Sequence, residues 1–404
     1  MDYKKEIIDS GDNISRVAHQ INMNSFNNCP AIKVVPHQPG NFRGAVGIRP
    51  ADHILQQMLL GNMSIEIQND GAGHKPQFFA ISNEEEDFMQ LAWEVITMTI
   101  DDLARTGCFP VSIACDLQAK KITRENVHLA EAMFKGFGDI LKQTGIVCTT
   151  GESAIMKHSI TSFFDYDDLA PDYLLTTMSG TAMGFSHKDA LIDGSGIKAG
   201  MPIVGFWEPG MRCNGASWMI DLIKEVFIGK DCPRSKMMAR MQKSSEAMEF
   251  IRMLTIPSQS YAKLITRLVG WQQDGSLGNS LAGIEGIAHI TGGGVVSKLG
   301  EILPGKMGAY LDKMPMPCDL LLQAQALSER TGLYLSDERA YETFHGGCGM
   351  MVVANSDKDA DTIIKEAYKD NVSARVIGET IESGVILIKS KFRNQDTIQK
   401  EKGS

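Results

Sequence analysis

Residues Gly286–Gly294 read GIAHITGGG, a short apolar run holding His289 and Thr291 that ends in three consecutive glycines. Glycine weakens helices and strands alike, so a triplet belongs where the backbone turns sharply or approaches another group closely. Stripped backbone N–H groups at a helix start make an anion cradle, and phosphate is the leading candidate to fill it. A tight turn between two elements explains the same letters. On this stretch alone both readings stand.

Working outward, apolar strands alternate with helices. SIEIQNDGAGHK is a strand running into a turn, and Glu84–Gly107 reads as a helix with acidic residues at its start and glycine at its end. CFPVSIACDLQA is a strand, Arg124–Thr144 a helix stopped by Gly145, and IVCTTGESA and YLLTTMSGTAMGF are further strands. After a glycine-rich stretch, DALIDGSGIKAG, the scheme resumes with MPIVGFWEPG, helices over Ala216–Ile228, Lys236–Met253 and Tyr261–Leu268, and the strand GIAHI. GCGMMVVA, a helix over Asp357–Asp370, and strands at ARVIGE and GVILIK close the pattern. This predicts an α/β or α+β protein of two domains, as 404 residues exceed one ordinary core. The expected divisions are an irregular segment over 1–60, broken by Pro30, Pro36, Pro39 and Pro50, domains over 61–186 and 187–390, and a frayed polar tail over 391–404.

Composition narrows the partners. The chain is 43% hydrophobic and 22% charged, as a soluble globular protein is, and no apolar run is long enough to span a membrane. A net charge of -9 argues against nucleic acid or an anionic membrane as partner, but not against a phosphorylated small molecule. Eight scattered cysteines without a C-x-x-C pair, and an N-terminus without a signal-peptide core, point to reduced thiols in the cytoplasm.

The standard catalytic templates fail. GMRCNGAS has Walker A spacing but carries Ala216 where lysine must stand, and neither H-E-x-x-H nor G-x-S-x-G occurs. What remains is a set of carboxylates at element ends: Asp70 in NDGAGHK, Asp101 and Asp102 closing an apolar helical turn, and Glu152 in TTGESA. Magnesium takes hard oxygen ligands and shares them with phosphates, so carboxylates at three such element ends beside a glycine triplet predict a metal–phosphate site. The competing reading is that each merely caps its turn. Lys75 is near Asp70 in sequence, and His345, before a Gly-Gly pair, suits a structural or a catalytic role. The methionines of KMMARMQKSSEAMEF fall at helical spacing and read as packing.

In order, these segments resemble the aminoimidazole ribonucleotide (AIR) synthetases, the phosphoribosylformylglycinamidine cyclo-ligases. NDGAGHK resembles D-G-V-G-T-K, IDDLARTGCFP resembles N-D-x-x-x-x-G-x-x-P, and TTGESAIM resembles G-G-E-T-A-E-M. RCNGAS resembles H-S-N-G-x-S, IPSQSYAK resembles P-T-x-I-Y-x-K, and GIAHITGGG matches essentially letter for letter. TFHGGCGMMVVA with ARVIGE resembles the closing block, so the likeness runs from about residue 60 to 388. It implies a PurM-like two-domain architecture whose N-terminal strands join a second subunit's in a dimeric β-barrel. It also implies ATP and Mg2+ near the cleft, a ribonucleotide substrate and a homodimer. By that resemblance Asp70, Gly71, Gly73, Lys75, Asp102 and Glu152 hold nucleotide, with Asp70, Asp102 and Glu152 on the metal. Asn214, His289, Thr291, Gly292, Gly293 and Gly294 lie against substrate, and Asp102, Lys75 and Arg212 are catalytic.

The departures are specific. Arg212 and Cys213 replace the family's His-Ser, Gln259 replaces a cation, Ile155 replaces an acid, and His345-Gly346 replaces Asn-Met. The early glycine-rich loop is poorly recognisable in PGNFRGAVGIRP. Arg212 is expected to restore the charge lost at Gln259 and so preserve phosphate binding. Two alternatives remain: a paralogue acting on another acceptor, and a catalytically silent nucleotide-binding regulator.

Overall fold

A computed structural model describes residues 3–36, 46–164 and 172–402, with side chains from Gly11 onward. The glycine-rich loop expected over a nucleotide lies in part outside these residues.

The chain begins with α1 (Tyr3–Ser25), the hairpin β1 (Ile32–Pro36) and β2 (Val46–Pro50), and α2 (Asp52–Leu59). The described part of the first sixty residues is therefore mostly helix and strand rather than irregular. The proline argument applies only from Pro30 onward, and α1 ends before it. Then follow β3 (Met63–Gly71), α3 (Pro76–Ser82), α4 (Glu85–Ala104), β4 (Phe109–Ala119), α5 (Val127–Thr144), β5 (Val147–Ile155) and β6 (Thr176–His187). These form a four-stranded sheet of order β3-β6-β4-β5. β4 and β5 run parallel because α5 returns the chain between them, while the other pairs are antiparallel.

The second half holds β7 (Pro202–Trp207), α6 (Ala216–Ile223) with a π-turn over Lys224–Ile228, α7 (Arg234–Gln242), α8 (Ser245–Leu254) and α9 (Ala262–Val269). It continues through β8 (Ile284–His289), α10 (Gly294–Ile302), β9 (Met307–Leu311), α11 (Asp319–Ser328), α12 (Asp337–Thr343) and β10 (Cys348–Ala354). It closes with α13 (Asp357–Lys369), β11 (Ala374–Glu382), β12 (Val385–Lys389) and β13 (Thr397–Glu401). The seven strands order as β13-β12-β9-β11-β7-β10-β8. The helix expected over Lys236–Met253 is broken where the Ser244 hydroxyl accepts from the Ala247 N–H and starts α8 afresh. The tail expected to fray instead supplies the edge strand β13, paired to β12 from Val385↔Glu401 to Lys389↔Thr397.

One apolar cluster joins the two sheets. Val95, Ile96 and Ile100 of α4 pack with Leu264, Ile265 and Leu268 of α9, and these with Phe206, Ile287 and Val352 of the second sheet. Each such side chain contributes about 2 kcal/mol on burial, enough to lock α4 against α9. That contact brings the last turn of α4, which carries Asp101 and Asp102, to the end of β8, where GIAHITGGG leaves the sheet.

Candidate active site

α4 ends on two adjacent acids that do different work. Asp101 is fully buried, and its Oδ1 accepts from the Ser260 hydroxyl at 3.0 Å and from the Tyr261 and Ala262 N–H groups at 2.9 and 2.8 Å. It caps the N-terminus of α9, although burial raises its carboxyl to about 7. Asp102 points the other way, to the solvent side, with 24% of its side chain exposed. Its Oδ1 accepts from His289 Nδ1 at 2.8 Å and lies 3.2 Å from Arg105 Nε. Burial pushes Asp102 up, but the His289 hydrogen bond and the charges of Arg105 and Lys298 outweigh it and hold the carboxyl below its usual range.

Arg212 fixes the tautomer of His289. Its Nη2 donates to His289 Nε2, so that nitrogen carries no proton and Nδ1–H faces Asp102. Burial and the Arg212 charge lower His289 to about 4, keeping the ring neutral. Arg212 is itself only 1% exposed. Its Nη1 donates to Glu208 Oε2 at 2.5 Å and to the Gln259 carbonyl at 3.2 Å. Glu208, fully buried, also accepts from the Gln259 N–H at 3.0 Å and the Tyr261 hydroxyl at 3.1 Å. Burial opposes the Arg212 charge, yet Glu208 and its other neighbours raise its pKa above the usual value. At Arg212 φ is +62°, a left-handed conformation uncommon for a side chain of this size.

The three glycines of the opening stretch divide their roles. Gly294 has φ +64°, and a Cβ there would lie 2.2 Å from the Tyr341 carbonyl, so it is needed for α10 to pack on α12. Gly293 has φ +87° and caps α10. Gly292 meets nothing within 4 Å. The Gly294 N–H bonds Thr291 O, whereas those of Gly292 and Gly293 make no hydrogen bond among the described residues. The first turn of α10 thus leaves two backbone N–H groups unpaired among the described residues. Lys298, one turn along α10, acts electrostatically on both Asp70 and Asp102. Asp70, at the end of β3, accepts from the Gly71 N–H at 2.7 Å. Burial first and Asp102 second raise its carboxyl.

Other expected site residues lie elsewhere. Lys75 is fully buried, donating to Glu94 Oε1 at 2.7 Å and to the Ile256 carbonyl at 2.9 Å, and so presents no free charge to a ligand. Glu94 also accepts from the Ser258 N–H and hydroxyl, at 3.0 and 2.6 Å, and from the Cys213 thiol at 3.4 Å. Gly73 lies beside this group, near the Cys213 carbonyl, and Asn214 follows, half-buried. Glu94 was readable as the one charge inside LAWEVITMTI, where an unpaired acid would be costly. Glu208 and Lys298 carried no sequence signal.

Glu152 does not join Asp70. The register places Gly71, Ser179, Asp116 and Glu152 in one row, whereas Asp70 belongs to the next row, with Gly180 and Cys115. Successive residues face opposite sides, so the two acids lie on opposite faces, with roughly 14 Å of sheet between β3 and β5. Glu152 instead lines a cavity of about 530 Å³ together with Asp12, Ser15, His19 and Asn22 of α1. Among the described residues no three His, Cys, Asp or Glu side chains converge as a metal site. The expected three-carboxylate set is therefore not assembled: Glu152 stands apart, while Asp70 and Asp102 act on each other electrostatically.

Residues 56–180 match the N-terminal domain of the AIR synthase related proteins, and residues 273–389 match their C-terminal domain. The chain belongs to the AIR synthase related family. It is 28% identical over 339 residues to the phosphoribosylformylglycinamidine cyclo-ligase of Methanocaldococcus jannaschii, covering 83% of this chain and 84% of that one. To the enzyme of the same name from Acetivibrio thermocellus it is 25% identical over 345 residues, covering 85% and 86%. Among solved structures it shares its fold with the E. coli hydrogenase maturation protein HypE, at a TM-score of 0.54, 13% identity and 95% coverage of both chains. Thiamine-monophosphate kinase from Stenotrophomonas maltophilia has a TM-score of 0.53 and 14% identity, over 89% of this chain and 92% of that one.

Within this AIR synthase related frame the substituted positions gain physical accounts. Arg212 does not stand in for the missing cation at Gln259. Its charge is spent inside the protein, on Glu208, while the Gln259 backbone serves both partners. His345 receives the Gly347 N–H on Nδ1 at 3.1 Å and donates from Nε2 to the Gly210 carbonyl at 2.8 Å, a neutral brace between two loops. Ile155 packs with the apolar residues beneath α1.

Proposed function

We propose that this protein is an ATP-dependent cyclo-ligase that converts formylglycinamidine ribonucleotide to aminoimidazole ribonucleotide, ADP and phosphate, a step of purine biosynthesis in the cytoplasm. The observation that carries the reading is Asp102, hydrogen-bonded to His289 at the end of β8, near the open first turn of α10, with Asp70 and Lys298 acting on it electrostatically. Phosphorylating the formyl oxygen and closing the ring by amine attack demands neutralised phosphate charge, alignment and excluded water rather than a dedicated nucleophile. The free N–H groups of Gly292 and Gly293 would take phosphate oxygens, and Lys298, held at the surface by Glu301 at 2.7 Å, would add a cation on exchanging that partner. His289, neutral and held by Arg212, would orient Asp102 rather than carry a proton. Two carboxylates beside phosphates are the usual protein share of a Mg2+ site, so Asp70 and Asp102 suit that ion, which when bound would neutralise phosphate charge.

The open face of the first sheet supports a homodimer. Ile65 and Ile67 on β3 are 51% and 64% exposed, on the face that α4 does not cover. No helix among the described residues is long and apolar enough to cross a membrane. The domains would divide near residues 187–200, between the two sheets.

One observation favours a second reading, in which the acceptor is not a ribonucleotide. With Arg212 and Lys75 both paired internally, neither offers a charge to a sugar phosphate. The deciding test is ADP release from Mg-ATP with and without formylglycinamidine ribonucleotide, with product identified by mass. Substrate-dependent ADP release and the imidazole product support the cyclo-ligase. ATP binding without stimulation rejects it and points to another acceptor.

A further inference from the structure

A second cleft lies behind α9, away from Asp70 and the start of α10. Its volume is about 1000 Å³, at the upper end of small-molecule sites. The outer side of α9 makes one wall through Lys263 and Thr266, and the last turn of α5 makes the other through Lys142 and Gln143. Its floor is aromatic. Trp271 is buried and anchored by its indole N–H to the Gly107 carbonyl at 2.8 Å, with Phe109 at a ring separation of 5.5 Å.

The charges around the cleft are unbalanced. Lys142 and Lys263 are exposed and make no ion pair among the described residues. Arg267, the third cation, is spent on Glu366 and Asp370 at 3.2 and 2.8 Å. The acid in the lining, Asp274, is occupied by the Ser276 N–H and hydroxyl at 3.0 and 2.7 Å. Two uncommitted ammonium groups over an aromatic floor, with amide side chains between, suit a ring-bearing anion: the ring for the floor, the anion for the lysines. In a protein of net charge -9 such a patch is local and would concentrate anions.

We propose that this cleft is a second ligand site, for a ring-bearing phosphate ester of nucleoside monophosphate size. Its wall is also the element that Asp101 caps. Lys263 follows directly on Ala262, whose N–H Asp101 holds, so a ligand drawing on Lys263 and Thr266 pulls on the same first turn of α9 that is held next to Asp102. Occupancy of the cleft is thereby coupled to the carboxylate pair at the candidate active site. The inference needs no assumption about the reaction catalysed.

The test uses the full chain and adenosine 5′-monophosphate as probe, read by titration calorimetry and by hydrogen–deuterium exchange. AMP is expected to slow exchange over residues 142–145 and 262–281. Lys142→Glu with Lys263→Glu, both surface changes, should weaken it roughly tenfold or more, as expected for losing two charge-assisted contacts. Adenosine alone should bind more weakly than AMP. Protection confined to residues 290–298, or affinity unchanged in the double variant, overturns the proposal. Adenosine binding as tightly as AMP overturns its phosphate part. Because these readouts are binding and exchange, a protein inactive on formylglycinamidine ribonucleotide can still pass them, so the two readings fail separately.

Discussion

Replacing Arg212 with alanine separates a structural cation from a ligand-binding one. The substitution removes the donor to Glu208 Oε2, to the Gln259 carbonyl and to His289 Nε2 at a position 1% exposed. Breaking a buried ion pair by deleting one partner costs about 3–5 kcal/mol, because the remaining charge is left uncompensated. Glu208 keeps the Gln259 N–H and the Tyr261 hydroxyl, which places the expected loss near 4 kcal/mol. For a cooperative unit the size of the second half, that is a fall in Tm of roughly 10 °C. Burial already raises Glu208, and without Arg212 it rises further. A carboxyl whose folded value exceeds its unfolded one costs stability as pH rises through that window, since the folded state holds the proton that the unfolded state has lost. The deficit of the variant must therefore grow as pH rises above the usual carboxylate range. Urea midpoints across that rise measure it, and Glu208→Gln combined with Arg212→Met should recover most of the loss. A deficit under about 1 kcal/mol at every pH, with anion affinity falling more than tenfold, would refute the reasoning and return Arg212 to the ligand site.

Gly294→Ala should lower stability by about 2–4 kcal/mol, because its Cβ would strike the Tyr341 carbonyl in a left-handed conformation. Gly292→Ala should leave the urea midpoint almost unchanged and weaken ATP binding, and equal effects on both counts would dissolve the division between them. Asp102→Asn keeps an acceptor for His289 Nδ1–H, so the fold should hold to within about 1 kcal/mol while Mg-dependent ADP release falls by about a hundredfold or more; undiminished release removes Asp102 from the site. His345 is lowered from its usual 6.5 to about 3, first by burial and then by the Arg212 charge. Its unfolded state takes up a proton below about pH 6.5 that the folded state refuses, so acid costs stability. Relative to His345→Gln, the wild type should lose about 1.4 kcal/mol per pH unit between pH 6.5 and 4, and parallel pH curves would contradict the assignment.

The alternation of strands and helices was legible because the core imposes it. α4, β4, α5, β5 and β6 stand where apolar periodicity placed them. The misses have separate physical causes. The prolines from Pro30 onward disrupt only the chain that follows them, and α1 ends before them at Ser25. TIQKE was too polar to read as a strand, yet an edge strand needs only one apolar residue facing in, and Ile398 supplies it. At the candidate site, Asp70, Asp102, His289 and the glycine triplet were readable because each ends an element. Glu152 was read into the same set because it also follows a strand, but parity within a sheet depends on register between strands, and no single strand records that.

Arg212 marks a different boundary of sequence reading. A cation gained at one motif and a cation lost at another invite the inference that charge has been conserved for a ligand. The inference fails because Glu208, four residues earlier, folds beneath Arg212 and neutralises it, leaving the guanidinium to fix the proton on His289. That proton decides what Asp102 can do. With Nδ1–H directed at Oδ1, the ring lends Asp102 a hydrogen bond but no charge, so the carboxylate retains its full negative charge toward whatever enters between it and α10. Burial is the larger cause of the lowered His289 value, and the Arg212 charge and its hydrogen bond to Nε2 act in the same direction. Arg212 therefore does not repair phosphate binding; together with burial it holds the His289–Asp102 pair in one protonation state.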